Sequence, residues 1–347
     1  MPLRRRLLNL LSDGEFHSGE ELGASLGVSR MAVWKHLKAL RDMGVEFSVQ
    51  RGKGYCLPSS LELLERDRIL SAVNAMTAAG IDDIAVFLEV DSTNNWLRER
   101  MLNGAPSGTV CVAELQLAGR GRRGRTWVSP FAANLYLSLL WRCASGAATL
   151  GGLSLVTGVA VLRALHGLGI EVAGLKWPND ILVGDAKLAG VLIDVVGEAS
   201  GPCAVIVGIG VNVCMPRRKA AAIDQSWTDL HHLAGERSIS RNVLAARILD
   251  ELIPAIDAFD TTGLQPFLDE WRRFDVVRGR EVDLMLPNEY ITGTARGIDE
   301  SGALLVDTTH GRRRFVSGDV SVRMTTRNCW WMSGIPPLSG RSPGQRV

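Results

Sequence analysis

A chain of 347 residues is too long for one small domain and implies two or three compact units. With 46% hydrophobic and 22% charged residues it is neither wholly disordered nor collagen-like nor low-complexity. The formal charge is +2, but it is unevenly spread: residues 1–60 hold nine Lys/Arg against six Asp/Glu, the last 22 residues hold three Arg and no acid, and residues 61–325 therefore carry a net −4.

The six cysteines (Cys56, Cys111, Cys143, Cys203, Cys214, Cys329) form no C-x-x-C, and the six histidines have no metal-ligand spacing. Reduced thiols and no zinc site are expected. The basic N-terminus (Arg4, Arg5, Arg6) precedes too short an apolar stretch for a secretory signal, which makes the cytoplasm the expected compartment. No charge lies between Arg142 and Arg163, yet Ser145, Thr149, Ser154, Thr157 and several glycines make this stretch too polar for a membrane span. A buried core helix is expected there.

The N-terminal residues carry the clearest local signals. Leu3–Leu11 reads as a short helix ended by Asp13-Gly14, and Ser18-Gly19-Glu20-Glu21 has the spacing of a capping box. That second helix reaches Leu26. Gly27-Val28-Ser29 makes a tight turn, Ser29 caps a third helix, and Gly44 closes it. Val33, Leu37 and Leu40 share one face of the third helix, while Arg30, Trp34, Lys38 and Arg41 form a stripe roughly 80° wide at about 100° per residue. Extended runs at 46–50 and 55–57, joined by Arg51-Gly52-Lys53-Gly54, give a hairpin with a basic tip. A helical interaction domain with merely solvated charges is the plainer alternative. Capping, turn, basic stripe and basic wing together favour a winged helix on DNA, with Arg30, Trp34, Lys35 and Lys38 contributed by the helix and Arg51 and Lys53 by the wing.

Residues 61–79 read as a bridging helix. Residues 84–215 then alternate strand-like runs (84–90, 109–115, 134–140, 188–195, 204–213) with helical stretches (94–102, 150–168), which predicts an α+β core with one main sheet. Helices follow at 241–259 and 264–274. Short alternating strands over 277–325, separated by Pro287-Asn288, Glu300-Ser301-Gly302 and His310-Gly311, predict a small β-barrel. Residues 326–347, rich in Gly, Pro and Ser, are expected to be a disordered tail. The expected domain limits are 1–60, 61–275 and 276–325.

Gly119-Arg120-Gly121-Arg122-Arg123-Gly124-Arg125 formally matches G-x-G-x-x-G, but Thr126-Trp127-Val128-Ser129-Pro130 opens no helix and no acid follows within 20 residues, which argues against a dinucleotide fold. A kinase loop fails for want of H-R-D and D-F-G. Gly340-Arg341-Ser342-Pro343-Gly344 lies in the tail with proline after the serine, which excludes a nucleophile elbow. Four arginines among three glycines can instead wrap an anion, with backbone approaching closely and guanidinium forks pairing with phosphate or carboxylate. Such a loop should be mobile until a ligand neutralises it.

A second cluster runs Lys176-Trp177-Pro178-Asn179-Asp180, then a Gly184-Asp185 turn, then Lys187-Leu188-Ala189-Gly190, and is expected to gather two lysines and a carboxylate at one hairpin end. A third is Gly208-Ile209-Gly210-Val211-Asn212, whose glycines are expected to admit a ligand and whose Asn212 is either a ligand group or a structural asparagine.

These clusters, together with Asp91-Ser92-Thr93-Asn94 and Gln116, occur in an order that resembles the biotin protein ligases, and the N-terminal winged helix makes the chain similar to their bifunctional ligase and repressor branch. The resemblance covers residues 1–325. It implies a winged helix-turn-helix, a central mixed-sheet domain like that of class II aminoacyl-tRNA synthetases, and an SH3-like C-terminal barrel. The implied reaction joins biotin and ATP into biotinyl-AMP and then transfers biotin to a lysine of the biotin carboxyl carrier protein of acetyl-CoA carboxylase. By the same resemblance Ser92, Thr93, Asn94 and Gln116 meet the ureido ring, with Arg120, Gly121, Arg122, Lys187 and Gly190 also around biotin. Arg122, Arg125, Trp127, Lys176, Asn179, Asn212 and Arg323 serve ATP and the adenylate, and residues 215–227 pack over adenine. Lys187, Arg122, Lys176 and Asp180 are the implied catalytic set, Asp180 also being the expected magnesium ligand. Implied partners are operator DNA and a homodimer induced by biotinyl-AMP, with no membrane. A ligase with a passive DNA-binding domain and a biotin-sensing transcription factor without catalysis remain alternatives, although retention of Lys187 and every loop arginine favours catalysis.

Overall fold

The computed structural model describes residues 3–324 apart from 58–60, 145, 198–201, 236, 287–288 and 317–320. The expected tail, including Trp330-Trp331, and the Pro287-Asn288 turn lie outside the described residues.

Helices α1 (Leu3–Leu11), α2 (Gly19–Leu26) and α3 (Arg30–Asp42) follow the expected limits. Ser18 Oγ accepts from the Glu21 amide at 3.1 Å while the Glu21 carboxylate accepts from the Ser18 amide at 2.8 Å, so two free donors are satisfied reciprocally. Ser29 caps α3 through the Ala32 amide at 3.2 Å. Leu7, Leu8, Leu11, Leu22, Val33, Leu37 and Leu40 form the small core of this unit, and Leu88, Leu115 and Phe131 of the central unit pack against it. Strands β1 (Ser48–Gln50) and β2 (Gly54–Cys56) pair antiparallel as the wing.

The bridging helix expected over 61–79 is instead an extended segment followed by α4 (Arg66–Ala72) and α5 (Ala75–Gly80). Side chains of the body capture its backbone: Leu64 N donates to Glu114 at 2.6 Å and Glu65 N to Asn242 at 2.8 Å. Val73 is extended, and Asn74 caps a new helix through the Thr77 amide at 2.8 Å.

Strands β3 (Asp83–Phe87), β4 (Thr109–Ala113), β5 (Asn134–Cys143), β6 (Ala173–Lys176), β7 (Asp180–Val183), β8 (Ala186–Gly197) and β9 (Cys203–Asn212) form one sheet in the order β3-β4-β5-β9-β8-β7-β6. Only β3–β4 is parallel. Helix α6 (Thr93–Leu102) lies between β3 and β4 in sequence, and α7 (Leu153–Gly167) is the buried helix expected from the uncharged stretch. Among the described residues no helix is long and apolar enough to cross a membrane. Short helices α8 (Arg217–Ala220) and α9 (Leu230–Ala234) precede α10 (Arg241–Thr262), which packs on α7.

The helix expected over 264–274 divides into a 3-10 turn (Gln265–Phe267) and α11 (Leu268–Arg273). Strands β10 (Glu281–Met285), β11 (Tyr290–Ile298), β12 (Leu304–Thr308), β13 (Gly311–Phe315) and β14 (Ser321–Met324) supply the expected C-terminal β-unit, an antiparallel sheet ordered β13-β12-β11-β10-β14. This unit is tied to the central sheet at the foot of β6. Leu175 N donates to Phe274 O at 2.8 Å, Val276 N to Leu175 O at 3.0 Å, and the buried Trp177 indole to Gly302 O at 3.0 Å.

Candidate active site

A cleft of about 560 Å³ opens over β8 and β9, between the 119–127 loop, the start of α6, the β6–β7 turn and residues 215–227. Its two ends differ in chemistry.

One end is neutral and internally bonded. Ser92, Thr93 and Asn94 open α6, and Thr93 donates through N at 3.0 Å and Oγ1 at 3.1 Å to Gln116 Oε1. Gln116 Nε2 donates to Ser129 Oγ at 3.1 Å, and Ser129 donates to Trp127 O at 2.8 Å. Ser138, fully buried on β5, reaches Thr93 Oγ1 at 2.7 Å and Asn94 Oδ1 at 2.6 Å. The sequence reading missed Ser129 and Ser138. For Ser138 the signal was present, a lone serine inside the run Leu135-Tyr136-Leu137-Ser138-Leu139-Leu140. The glycines of β9 serve this packing. A Cβ on Gly208 would stand 2.3 Å from Asn94 Oδ1, and one on Gly210 would stand 2.5 Å from the Trp127 indole. The close approach expected of a ligand is thus made in this structure by Asn94 and Trp127.

The other end is cationic. Lys176 closes β6, a cis Trp177–Pro178 bond follows, Asn179 donates to Val191 O at 2.8 Å, and Asp180 opens β7. Lys187 Nζ lies 2.7 Å from Asp180 Oδ1 and 5.3 Å from the centre of the Trp127 ring. The expected gathering of two lysines and a carboxylate is seen in the approach of Lys187 Nζ to Asp180, which pairs in register with Lys176, although the two lysines leave the chain at different ends of β7. Lys187 leaves the chain beside the Gly184-Asp185 turn, opposite Leu182, whereas Lys176 and Asp180 sit at the far end of β7. A register shift between Ile181 and Leu182 and the length of the lysine side chain bring the ammonium back along the strand. Its backbone is held from both sides, Lys187 N donating to Ser226 O at 2.9 Å and Thr228 N to Lys187 O at 3.0 Å.

Burial pushes the Lys176 ammonium below its usual range; Lys187, Arg125 and Arg323 add to this, and Asp180 opposes it. Arg323 itself is exposed on β14 and is not among the residues that line the cleft, although its neighbour Val322 is.

The glycine-arginine loop, expected to be mobile until a ligand neutralises it, sends its side chains to different elements. Arg120 reaches Asp194 at 2.8 Å, Arg122 donates to Asn179 Oδ1 at 3.1 Å, and Arg123, in the left-handed region at φ 57°, donates to Met285 O at 3.1 Å. Gly121 and Arg125 line the cleft and close a small turn, Gly121 N donating to Arg125 O at 2.7 Å. Gly190 forms part of the floor, under Lys187 and Trp127. Asn212 also lines the cleft, but its amide nitrogen donates to Lys187 O at 3.3 Å and Thr228 O at 3.1 Å, which is a structural use. Met215, Ile223 and Trp227 pack with Val128 as an apolar wall.

Asp180 is the carboxylate placed among these cations, and Lys187 already engages it. Among the described residues no three His, Cys, Asp or Glu groups converge as a metal cage. A magnesium ion held here would therefore depend on phosphate oxygens for most of its ligands.

On the N-terminal unit Arg30, Trp34, Lys35, Lys38, Arg51 and Lys53 are all exposed, away from the cleft. Trp34 is 50% exposed with Lys38 Nζ 5.8 Å from its ring centre.

Residues 86–212 match the biotin/lipoate A/B protein ligase family, residues 278–323 the biotin protein ligase C-terminal domain, and residues 3–56 an HTH domain. The chain is 43% identical over 317 residues to the bifunctional ligase/repressor BirA of Salmonella typhimurium, covering 91% of this chain and 96% of that one. It is 32% identical to the protein of the same name from Bacillus subtilis, with 92% and 98% covered. The biotin protein ligase of Aquifex aeolicus, solved in complex with biotin and ATP, superposes with a TM-score of 0.62 at 30% identity, over 71% of this chain and 100% of its own. With sequence, three domain matches and fold in agreement, the chain belongs to the biotin protein ligase family, in the branch that carries an N-terminal helix-turn-helix.

Proposed function

We infer that the protein is an ATP-dependent biotin protein ligase that also binds DNA as a repressor. The observation that carries the reading is the polarity of the cleft: a neutral hydrogen-bonding end, and a cationic end lined by Lys176, Arg122 and Lys187, the last 2.7 Å from the Asp180 carboxylate. Biotin has the same polarity, with a neutral ureido ring at one end and a carboxylate at the other. Thr93, Asn94, Gln116 and Ser92 suit the ring's carbonyl and N–H groups.

In the first step the biotin carboxylate attacks the α-phosphate of ATP, forming biotinyl-AMP and releasing pyrophosphate. Two anions must meet in a site largely shielded from water, which requires positive charge placed in advance. Lys187 and Arg122 fit the carboxylate and α-phosphate, and Lys176, with Asn179 beside it, fits the departing pyrophosphate. Burial, with the neighbouring cations, lowers the Lys176 proton affinity, and an arriving polyphosphate would favour its charged form. Asp180 would contribute one ligand to magnesium travelling with ATP, while the apolar wall of Met215, Ile223 and Trp227 suits adenine. In the second step a lysine amine of a biotin carboxyl carrier protein attacks the acyl carbon and AMP leaves.

The exposed α3 stripe and the Arg51–Lys53 wing tip suit the major groove and the phosphate backbone. A single unit with a net charge of only +3 holds DNA weakly, so we propose that biotinyl-AMP induces a homodimer that reads a two-fold operator. Incubation of the protein with biotin and MgATP, followed by acid quenching and mass analysis, tests the catalytic reading. Biotinyl-AMP and an equal amount of pyrophosphate are expected, and their absence from folded protein contradicts it.

A further inference from the structure

We propose that Asp194 is the positioning residue of the biotin end of the cleft. It anchors the arginine loop through Arg120 and sets the orientation of Asn94; the inference rests on the ligase reading above. Asp194 lies on β8, where Gly190, Leu192 and Asp194 alternate on one face. Gly190 and Leu192 line the cleft, and Asp194 stands just beyond its neutral end. One oxygen, Oδ2, receives Arg120 Nη2 at 2.8 Å and Asn94 Nδ2 at 3.2 Å, with Arg98 Nη2 of α6 at 3.9 Å. The carboxylate is only 13% exposed.

Two consequences follow from these distances. Arg120, read from sequence as a biotin or adenylate contact, has its guanidinium paired with Asp194, so it holds the base of the loop to the sheet, while Arg122 donates to Asn179 within the cleft lining. Asp194 accepts only, so Asn94 must turn its NH₂ towards it and its Oδ1 towards Ser138. Thr93 donates to Gln116, so its oxygen is the other acceptor open to Ser138. The donor and acceptor pattern that meets the ureido ring is thus fixed from behind by a carboxylate that lies outside the cleft lining. A group acting this way governs how well biotin is held far more than how fast it reacts.

The test is a cycle of Asp194→Ala, Arg120→Ala, the double variant and Asp194→Glu, with kcat and the KM for biotin and for ATP measured in adenylate formation by the full chain. Asp194→Ala should raise the biotin KM about tenfold, the scale of one charge-assisted hydrogen bond, with a smaller fall in kcat and little change in the ATP KM, and Arg120→Ala, which also frees the loop that carries Arg122, should raise the biotin KM to a similar extent. The double variant should be no worse than the worse single variant, and Asp194→Glu should recover most of the loss. Additive effects, or an unchanged biotin KM in Asp194→Ala, overturn the proposal. Should Asp194→Ala fail to fold, Asp194→Asn, which keeps the shape and removes the charge, makes the same comparison. A wild type that forms no adenylate would refute the ligase reading instead, and calorimetric binding of biotin to the same variants would still decide the role of Asp194.

Discussion

Glu114 and Arg241 meet at 2.6 Å inside the protein, one at the end of β4 and the other at the start of α10, with exposures of 0% and 4%. The pair holds the segment that leads out of the winged helix. Leu64 N donates to the second Glu114 oxygen at 2.6 Å, Arg241 N donates to Glu62 at 2.7 Å, and the Arg241 guanidinium reaches the Glu62 carbonyl. Removing one partner leaves the other charged, dry and unpaired. Glu114→Ala and Arg241→Ala should each lower unfolding stability by roughly 3–5 kcal/mol, and the double variant by much less than the sum. Denaturant melts of the four proteins check this, and additive losses would mean that the two side chains do not act as a unit.

Lys187→Ala should slow adenylate formation on the order of 10²–10³-fold while the variant still folds, because in the proposed mechanism the ammonium supplies charge at the reacting end and its backbone is held independently. Quenched-flow measurement of biotinyl-AMP decides it. Normal formation would remove Lys187 from the mechanism.

Arg122→Gly should loosen retention of biotinyl-AMP, since Arg122 joins the loop to Asn179 across the cleft. Loss of a charged hydrogen bond of roughly 1.5–3 kcal/mol is enough for tenfold faster escape. Biotin should then appear on lysines of bystander proteins, and unchanged labelling of albumin would contradict a shielding role.

The fold was legible where local chemistry and burial agree. Ser18 and Glu21 announce α2, and the uncharged run before Arg163 announces a buried helix, because each signal lies within one continuous stretch of chain. Strand β6 was missed because Ala173-Gly174-Leu175-Lys176 is too short to alternate, and it is defined by pairing with β7 and by the bonds of Leu175 to Phe274 and Val276. The bridging helix over 61–79 failed for a tertiary reason, since Glu114 and Asn242 take its backbone donors. The site clusters were visible as motifs, and the gathering of Lys176, Asp180 and Lys187 was expected, but the route by which they join was not. That Lys187 would return to Asp180, or that Asp194 would hold Arg120, depends on strand register and on contacts across 74 positions of chain.

Asp275 predicts a pH dependence. Burial raises its carboxyl from 3.8 to about 6, against the opposing hydrogen bonds from the Val277 and Arg278 amides and the charge of Arg278. The folded state therefore holds the proton more tightly than the unfolded chain. Its contribution is fully present below pH 3.8 and lost as pH rises through about 6, with a total on the order of 3 kcal/mol. The stability difference between Asp275→Asn and wild type should grow in the variant's favour between pH 4 and pH 7, whereas a constant offset in thermal melts would contradict it.

Coupling of the two activities predicts that biotin with MgATP, and neither alone, shifts the protein towards a dimer in sedimentation velocity and strengthens its retention of operator DNA. Unmodified carrier domain should oppose both effects. Equal DNA retention in every condition would leave the winged helix passive.

That this cleft activates biotin and delivers it to a carrier lysine is decided by intact-mass spectrometry of a purified biotin carboxyl carrier domain incubated with the protein, biotin and MgATP. A gain of one biotinyl group per carrier is expected, dependent on ATP and abolished when the target lysine is replaced by arginine. An unchanged carrier mass, with the protein folded and all substrates present, would contradict it.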